Sequence, residues 1–192
     1  MNTNSKSLNL STMISAVKES ELFWVISFSI LTAISAQVSI PIKPVPFTLQ
    51  TMVVLLAGAF LGSKNGAYSQ VLYIFLGVIG LPVFAQTADG TMGIARLIGP
   101  TGGYLLAFPL AAYMVGYLTE KSQKYLNVII SMFAAELIII FFGTLYLYAA
   151  YLHNFVDAVK AGAAIFTIWM VIKVFAAATI YFAVSKKQPR LP

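Results

Sequence analysis

"YLNVIISMFAAELIIIFFGTLYLYAA", residues 125–150, is an apolar run that carries a single charged side chain, Glu136. A helix that crosses the hydrocarbon core of a bilayer needs about 20 consecutive, mainly apolar residues. This run is long enough to cross. It therefore predicts a transmembrane helix that holds Glu136 inside the membrane.

The rest of the chain has the same character. Of its 192 residues, 59% are hydrophobic and 9% are charged, whereas soluble domains are normally about 25% charged. Five more apolar runs bring the predicted count to six helices in an all-α integral membrane bundle that forms a single domain, residues 1–192. These runs lie at about 21–40, 47–62, 66–82, 101–118 and 161–184.

Two of these runs, 47–62 and 66–82, are short for crossing a bilayer, so we expect those helices to end inside the protein and to cap a cavity. Residues 1–20 are polar and lack the short apolar core and small-residue cleavage site of a signal peptide. We therefore expect the first span to be retained.

The basic residues predict the orientation in the membrane. Cytoplasmic connections carry the excess of Lys and Arg. Eight lie in the termini and the even-numbered connections, and three in the odd-numbered connections. The first group is Lys6, Lys18, Lys64, Lys121, Lys124, Lys186, Lys187 and Arg190, and the second is Lys43, Arg96 and Lys160. Both termini are predicted to be cytoplasmic, in a multi-pass membrane protein.

Lys173 is a charged residue inside the last predicted span. Counted from the cytoplasmic ends, Glu136 and Lys173 lie about eleven and twelve residues into their helices, and therefore at similar depth. A lone charge at the bilayer centre costs about 2.5–3.5 kcal/mol. We predict that the two residues pair, and a proton or ion relay is the alternative role.

Signatures of enzymes and metal sites are missing from the sequence. There is no cysteine and one histidine, His153, which cannot supply a cluster of metal ligands. GAFLGSK, residues 58–64, has the wrong glycine spacing for a phosphate loop. The basic residues are scattered and form no nucleic-acid-binding stripe. We expect no catalysis, cofactor, metal or nucleic-acid partner.

An acid and a base one helical turn apart occur in "NFVDAVKAG", residues 154–162. On the predicted outer side, Asp157 and Lys160 are expected to converge with Arg96 and Gln50 around an apolar pocket. Such a pocket suits a ligand with one anionic and one neutral polar end. The alternative is a plain surface ion pair, worth under about 1 kcal/mol.

The first predicted span carries small residues at a spacing of four, Ser29 with Ala33 and Thr32 with Ala36. Small residues let helix backbones approach closely within a membrane. The stripe fits either packing inside the bundle or docking of a partner protein.

Two segments closely resemble the BioY family, the biotin-specific substrate-binding membrane subunits (S components) of energy-coupling factor transporters. They are IPIKPVPFTLQTMVVLLAGAFLGSKNGAYSQVLYIFLGVIGLPVFA, residues 40–85, and LIGPTGGYLLAFPLAAYMVG, residues 97–116. DAVKAG, residues 157–162, is similar to the family's acidic-then-basic segment. The resemblance implies a six-helix subunit that captures biotin at its outer face, beneath the first and third connections.

The resemblance also implies partners, namely a transmembrane coupling protein and two cytoplasmic ATPases, which fits the missing phosphate loop. Ser29, Thr32, Ala33 and Ala36 look like the family's docking surface for the coupling protein.

For biotin, we expect Lys160, with Arg96, to hold the carboxylate and Asp157 to accept from the ureido N–H groups. The aromatic residues Phe47, Phe84 and Tyr104 are candidates to pack against the bicyclic ring. Two other classes stay open. One is a self-sufficient proton-coupled carrier that uses Glu136 and Lys173, and the other is a purely structural subunit.

Overall fold

The structure is a computed structural model that describes residues 20–86, 90–164 and 167–185. Its helices are α1 (Glu21–Gln37), α2 (Gln50–Val78), α3 (Ile94–Ile98), α4 (Gly102–Lys121), α5 (Tyr125–Leu147), α6 (Phe155–Gly162) and α7 (Thr167–Ser185). A π-helical turn, Tyr148–Leu152, continues α5. Two short strands, β1 (Ser39–Ile40) and β2 (Phe47–Thr48), pair antiparallel between α1 and α2.

Within the residues that the structure describes, three helical stretches are long and apolar enough to cross a membrane. They are Gly102–Lys121, Tyr125–Leu152 and the stretch that begins at Phe155 and ends at Ser185. The run 125–150, from which the membrane prediction started, therefore forms one of them.

Helix α2 folds back on itself at Gly62. That residue has φ +79° and ψ −174°, a conformation that glycine adopts without steric cost. Beyond it, Gly66 packs on Gly58, since a Cβ on Gly66 would lie 2.9 Å from the Gly58 Cα. At the open end, the Gln50 amide donates to the Tyr73 hydroxyl, 23 residues along the chain. The two halves of α2 are therefore an antiparallel helical hairpin.

The sequence analysis expected a five-residue connection, GSKNG, at this reversal, but the structure turns at Gly62 alone. The Ser63 N–H, which has no acceptor within its own helix at the start of the second half, donates to Glu120 Oε1 at 2.8 Å. A carboxylate at a helix N-terminus also complements the positive end of the helix dipole. The Glu120 carboxylate of α4 thus caps the N-terminus of the second half of α2, and the two halves need no longer loop between them.

The centre of the core lies between α2 and α4, where small residues allow the helices to approach closely. Ala57, Ala111, Ala112 and Val115 are all fully buried. A Cβ on Gly58 would lie 2.3 Å from the Ala112 carbonyl oxygen. Because apolar burial does not drive association within lipid, this close backbone packing stabilises the bundle.

Gly116 gives a test of this packing. A Cβ at Gly116 would lie 2.3 Å from the carbonyl carbon of Gly62 and from the Ser63 nitrogen, and neither backbone atom has room to move. We expect Gly116→Ala to lower the free energy of unfolding by about 1–3 kcal/mol, measured by unfolding in detergent. Leu106→Ala, at an exposed site on the same helix, should change it far less. Equal stability of the two variants would contradict the close contact.

The small-residue stripe of α1 faces the interior. Ser29, Thr32 and Ala36 are fully buried, and Ala33 is half-buried. The Gln70 amide of α2 donates to Thr32 Oγ1 at 3.2 Å. In this structure these residues therefore pack inside the bundle. Docking of a coupling protein through the stripe stays a prediction, and it requires α1 to separate from α2.

Candidate functional site

A cavity lies at the end of the bundle where α2, α4 and α7 begin. Its volume is about 50 Å³, which is room for a few water molecules. Its walls come from α2, α3, α4, α5, α7 and the connections on either side of α2. They are formed by Val45, Pro46, Thr48, Gln50, Thr51, Phe84, Ala85, Arg96, Thr101, Tyr104, Leu105, Phe108, Glu136, Ile139, Ile140, Met170 and Lys173.

The predicted pairing of Glu136 with Lys173 is confirmed, and the pair lies in the cavity wall. Lys173 Nζ is 3.5 Å from Glu136 Oε1. Thr51 links them, since its hydroxyl donates to Glu136 Oε1 at 2.5 Å and accepts from the Lys173 ammonium group. Glu136 is 1% exposed and Lys173 7%. Charges this far from water are stable only when they are paired and hydrogen-bonded.

Arg96 enters the cavity from α3, a single helical turn. It is 3% exposed, and it is the only buried residue of that turn. Among the described residues that line the cavity, the charged side chains are therefore Arg96, Lys173 and Glu136. The two cations and one carboxylate among these described residues sum to a positive charge, which favours an anionic ligand.

The Gln50 side chain is fixed at the start of α2. Its amide group donates to the Tyr73 hydroxyl, and its oxygen accepts from Thr48 Oγ1 at 3.0 Å. The Tyr73 hydroxyl in turn donates to the Val83 carbonyl at 3.2 Å, which ties α2 to the connection that follows it. Gln50 is 4% exposed and lines the cavity, as the sequence analysis expected of a site residue.

Aromatic rings form one side of the cavity. Phe84 packs edge-on against Tyr73, with ring centroids 5.5 Å apart, and its own ring fills the space beside Gly77. Tyr104 lies flat over Gly143, where a Cβ would be 2.2 Å from the ring. Two of the three predicted aromatic residues, Phe84 and Tyr104, therefore line the cavity.

Phe47, the third predicted aromatic residue, lies outside this wall. Its ring packs against Trp169 with centroids 6.0 Å apart. The two rings line a neighbouring depression, which Lys173 and Thr48 border as well as the cavity.

Asp157 and Lys160 do not join the cavity. Both are exposed on α6, where they border a shallow surface depression with Ala161 and Ala164. The expected convergence of this pair with Gln50 and Arg96 is therefore absent from the described structure.

The cause is the rotation of α6 about its axis. The helix begins at Asn154, whose side chain accepts from the backbone N–H of Val156 at 3.0 Å, and it buries Ala158 and Gly162. Asp157 and Lys160 therefore point outwards, and the contact with the cavity wall is a hydrogen bond from the Tyr104 hydroxyl to the Gly162 carbonyl at 2.8 Å.

Several residues of the cavity wall were not predicted as site residues. Thr51 and Thr101 lie in the segments that resemble the BioY family but were given no role, and Met170 gave no signal. Glu136 and Lys173 did, since ionisable residues inside a membrane span usually mark a functional site. The Thr101 hydroxyl is buried without a hydrogen-bond partner in the described part of the chain, so it is available to a polar ligand group.

The chain is similar in sequence to known proteins along most of its length. A sequence profile of the BioY family matches residues 5–190. The biotin transporter BioY of Thermotoga maritima is 38% identical over 159 residues, which is 83% of this chain and 92% of the relative. The probable biotin transporter BioY of Pyrococcus horikoshii is 43% identical over 122 residues, or 64% of this chain and 73% of the relative.

The fold resembles a solved crystal structure, the S-component for biotin from an ECF-type ABC transporter. The TM-score is 0.76 at 24% sequence identity, and the match covers 91% of this chain and 92% of the other. The family resemblance seen in residues 40–85 and 97–116 is thereby confirmed. This multi-pass membrane protein, whose cavity gathers Arg96, Lys173 and Glu136, belongs to the BioY family.

Proposed function

We propose that this protein is the biotin-binding membrane subunit of an energy-coupling factor transporter. The cavity carries the proposal, because it combines two cations, one carboxylate and an aromatic wall in a single buried space. The names of the relatives supply the ligand, biotin. Biotin has one carboxylate, one ureido group with two N–H donors, and an apolar bicyclic body.

Each part of biotin has a partner in the cavity. The planar guanidinium of Arg96 can donate two parallel hydrogen bonds to the carboxylate, and the Lys173 ammonium adds a second positive charge. Glu136 is an acceptor for the ureido N–H groups. Phe84 and Tyr104 offer rings against which the bicyclic body packs.

Binding requires the cavity to open. A space of about 50 Å³ holds a few waters and not a vitamin with two fused rings. Val45 and Pro46 lie between α1 and α2, and Arg96 lies between α2 and α4, so the first and third connections form part of the wall. We propose that these two connections move apart to admit biotin and close over it.

Asp157 and Lys160 stay candidates for a second contact. The bond between Tyr104 and the Gly162 carbonyl places the end of α6 against the cavity wall. A rotation of α6 that accompanies opening would turn the acid and the base towards the ligand.

We further propose that the chain crosses the membrane six times, as α1, the two halves of α2, α4, α5 and the last helix, with both termini cytoplasmic. The excess of Lys and Arg in the even-numbered connections supports this orientation. It places the cavity, at the end where α2, α4 and α7 begin, towards the outer face.

Transport would then depend on a coupling protein and ATPases outside this chain. The ECF-type assembly of the structural relative supports such a partner, and Ala33 is the most exposed of the four stripe residues. Uptake should stop when ATP is depleted and should continue with an uncoupler while ATP is maintained. Collapse with the uncoupler would favour the proton-coupled carrier, in which Glu136 and Lys173 carry protons.

Direct titration tests the proposed function. Purified protein in detergent should bind biotin at one saturable site, because the cavity matches its charge and its apolar body. Lipoate, an acid of similar length without a ureido group, should bind about a hundredfold more weakly, since the buried Glu136 would lose its donors. Calorimetry measures both affinities. Failure to bind biotin, or equal affinity for the two acids, would contradict the proposal.

A further inference from the structure

The helical turn α3 places Arg96 in the cavity wall, but few interactions within the turn stabilise it. It spans five residues, Ile94–Ile98, and Arg96 is the only one that is buried. A helix this short is unstable alone, and its last carbonyl groups have no partner within the helix. The position of the Arg96 guanidinium therefore depends on groups outside the turn.

Two tyrosine hydroxyls meet at the end of this turn. Tyr146 donates to the Ile98 carbonyl oxygen at 2.8 Å, and Tyr151 donates to the same oxygen. A carbonyl oxygen has two lone pairs and accepts both bonds. Ile98 ends the turn two residues after Arg96, and the Gly99 N–H bonds back to the Arg96 carbonyl at 3.2 Å. Fixing this oxygen thus fixes the backbone that carries the guanidinium.

The π-helical turn explains how both tyrosines reach one atom. Tyr146 and Tyr151 are five residues apart, and in an α-helix such residues point roughly 140° away from each other. Here the helix widens over Tyr148–Leu152, where the His153 N–H bonds the Tyr148 carbonyl five residues back, at 3.0 Å. The two rings come to lie side by side, with centroids 6.2 Å apart.

We propose that Tyr146 and Tyr151 are positioning residues that hold Arg96 in its ligand-binding orientation, and that the π-helical turn brings them together for this role. The inference rests on the proposed function, in which Arg96 binds the biotin carboxylate. Neither tyrosine lines the cavity, so both act on the ligand through α3.

The test uses the full chain and two probes, biotin and biotin methyl ester, whose masked carboxylate cannot pair with a cation. The double variant Y146F/Y151F should raise the Kd for biotin about tenfold or more and leave the Kd for the ester within about twofold. Tyr148→Phe is the matched control, because it removes a hydroxyl from the same turn that makes no bond to Ile98. It should leave both affinities unchanged.

A second measurement repeats the double substitution in an Arg96→Ala background, where no further loss of biotin affinity is expected. This measurement tests the inference even if the ester binds too weakly for its Kd values to be compared. If the double variant fails to fold, the single variants replace it, each with a loss of about threefold for biotin alone. Unchanged biotin affinity, or equal losses for biotin and its ester, would overturn the inference. If the wild-type chain binds no biotin, the proposed function is contradicted, and so is the inference that rests on it.

Discussion

Replacing Lys173 with methionine should lower the free energy of unfolding by about 3–5 kcal/mol. Methionine keeps the length and apolar stem of lysine but removes the charge that lies 3.5 Å from Glu136. Glu136, 1% exposed, would then lose its salt-bridge partner in a buried site, which costs free energy. Unfolding of the purified variant in detergent, followed by a tryptophan or thermal signal, measures the loss.

The double variant E136Q/K173M separates folding from binding. Removing both charges avoids the lone buried charge, so stability should return to within about 1 kcal/mol of the wild type. Biotin affinity should stay at least about tenfold weaker, because the ligand has lost one cation and one acceptor. Full stability in the single variant would contradict the buried pair, and full affinity in the double variant would remove the pair from the binding site.

Replacing Arg96 with alanine should weaken biotin binding by about a hundredfold or more. Truncating one partner of a buried, hydrogen-bonded charge pair typically costs about 2–5 kcal/mol, and each 1.4 kcal/mol is a factor of ten. The loss should be much smaller for the methyl ester of biotin, which has no carboxylate. Calorimetric titration with both ligands measures the difference.

Lys160→Ala is the matched comparison for Arg96→Ala, because it removes another cation that lies outside the cavity and exposed on α6. Its biotin affinity should change less than twofold if the cavity cations alone bind the carboxylate and α6 does not turn Lys160 towards the ligand. A loss of tenfold or more in this variant, with little change in Arg96→Ala, would move the site to α6. That outcome would restore the roles assigned to Asp157 and Lys160 from the sequence.

Some residues of the site could be predicted from the sequence, because their depth in the membrane or their place in a motif depends only on position along the chain. Glu136 and Lys173 follow from counting residues along two apolar runs, since helix rise fixes depth. Gln50, Phe84 and Tyr104 lie in the stretches that resemble the BioY family, Arg96 directly precedes the second stretch, and all four line the cavity.

Asp157 and Lys160 were expected beside the cavity but lie outside it, because the direction of a helical side chain depends on how the helix is rotated about its axis. Successive residues of a helix turn by about 100°, so the face that meets the cavity is decided by what the other face packs against. In α6 the burial of Ala158 and Gly162 turns the acid and the base outwards. The same argument applies to α1, where contact with Gln70 turns Thr32 and its neighbours inwards.

The sequence by itself determined the membrane class, the family and the depth of the buried charges. Partition into lipid depends on the summed hydrophobicity of a segment, which needs no knowledge of neighbouring helices. Only the tertiary structure decided that the chain reverses at Gly62 alone, that Glu136 and Lys173 face the cavity, and that two tyrosines donate to the Ile98 carbonyl oxygen at the end of α3. Each of these depends on groups far apart in sequence that meet only after the helices have packed.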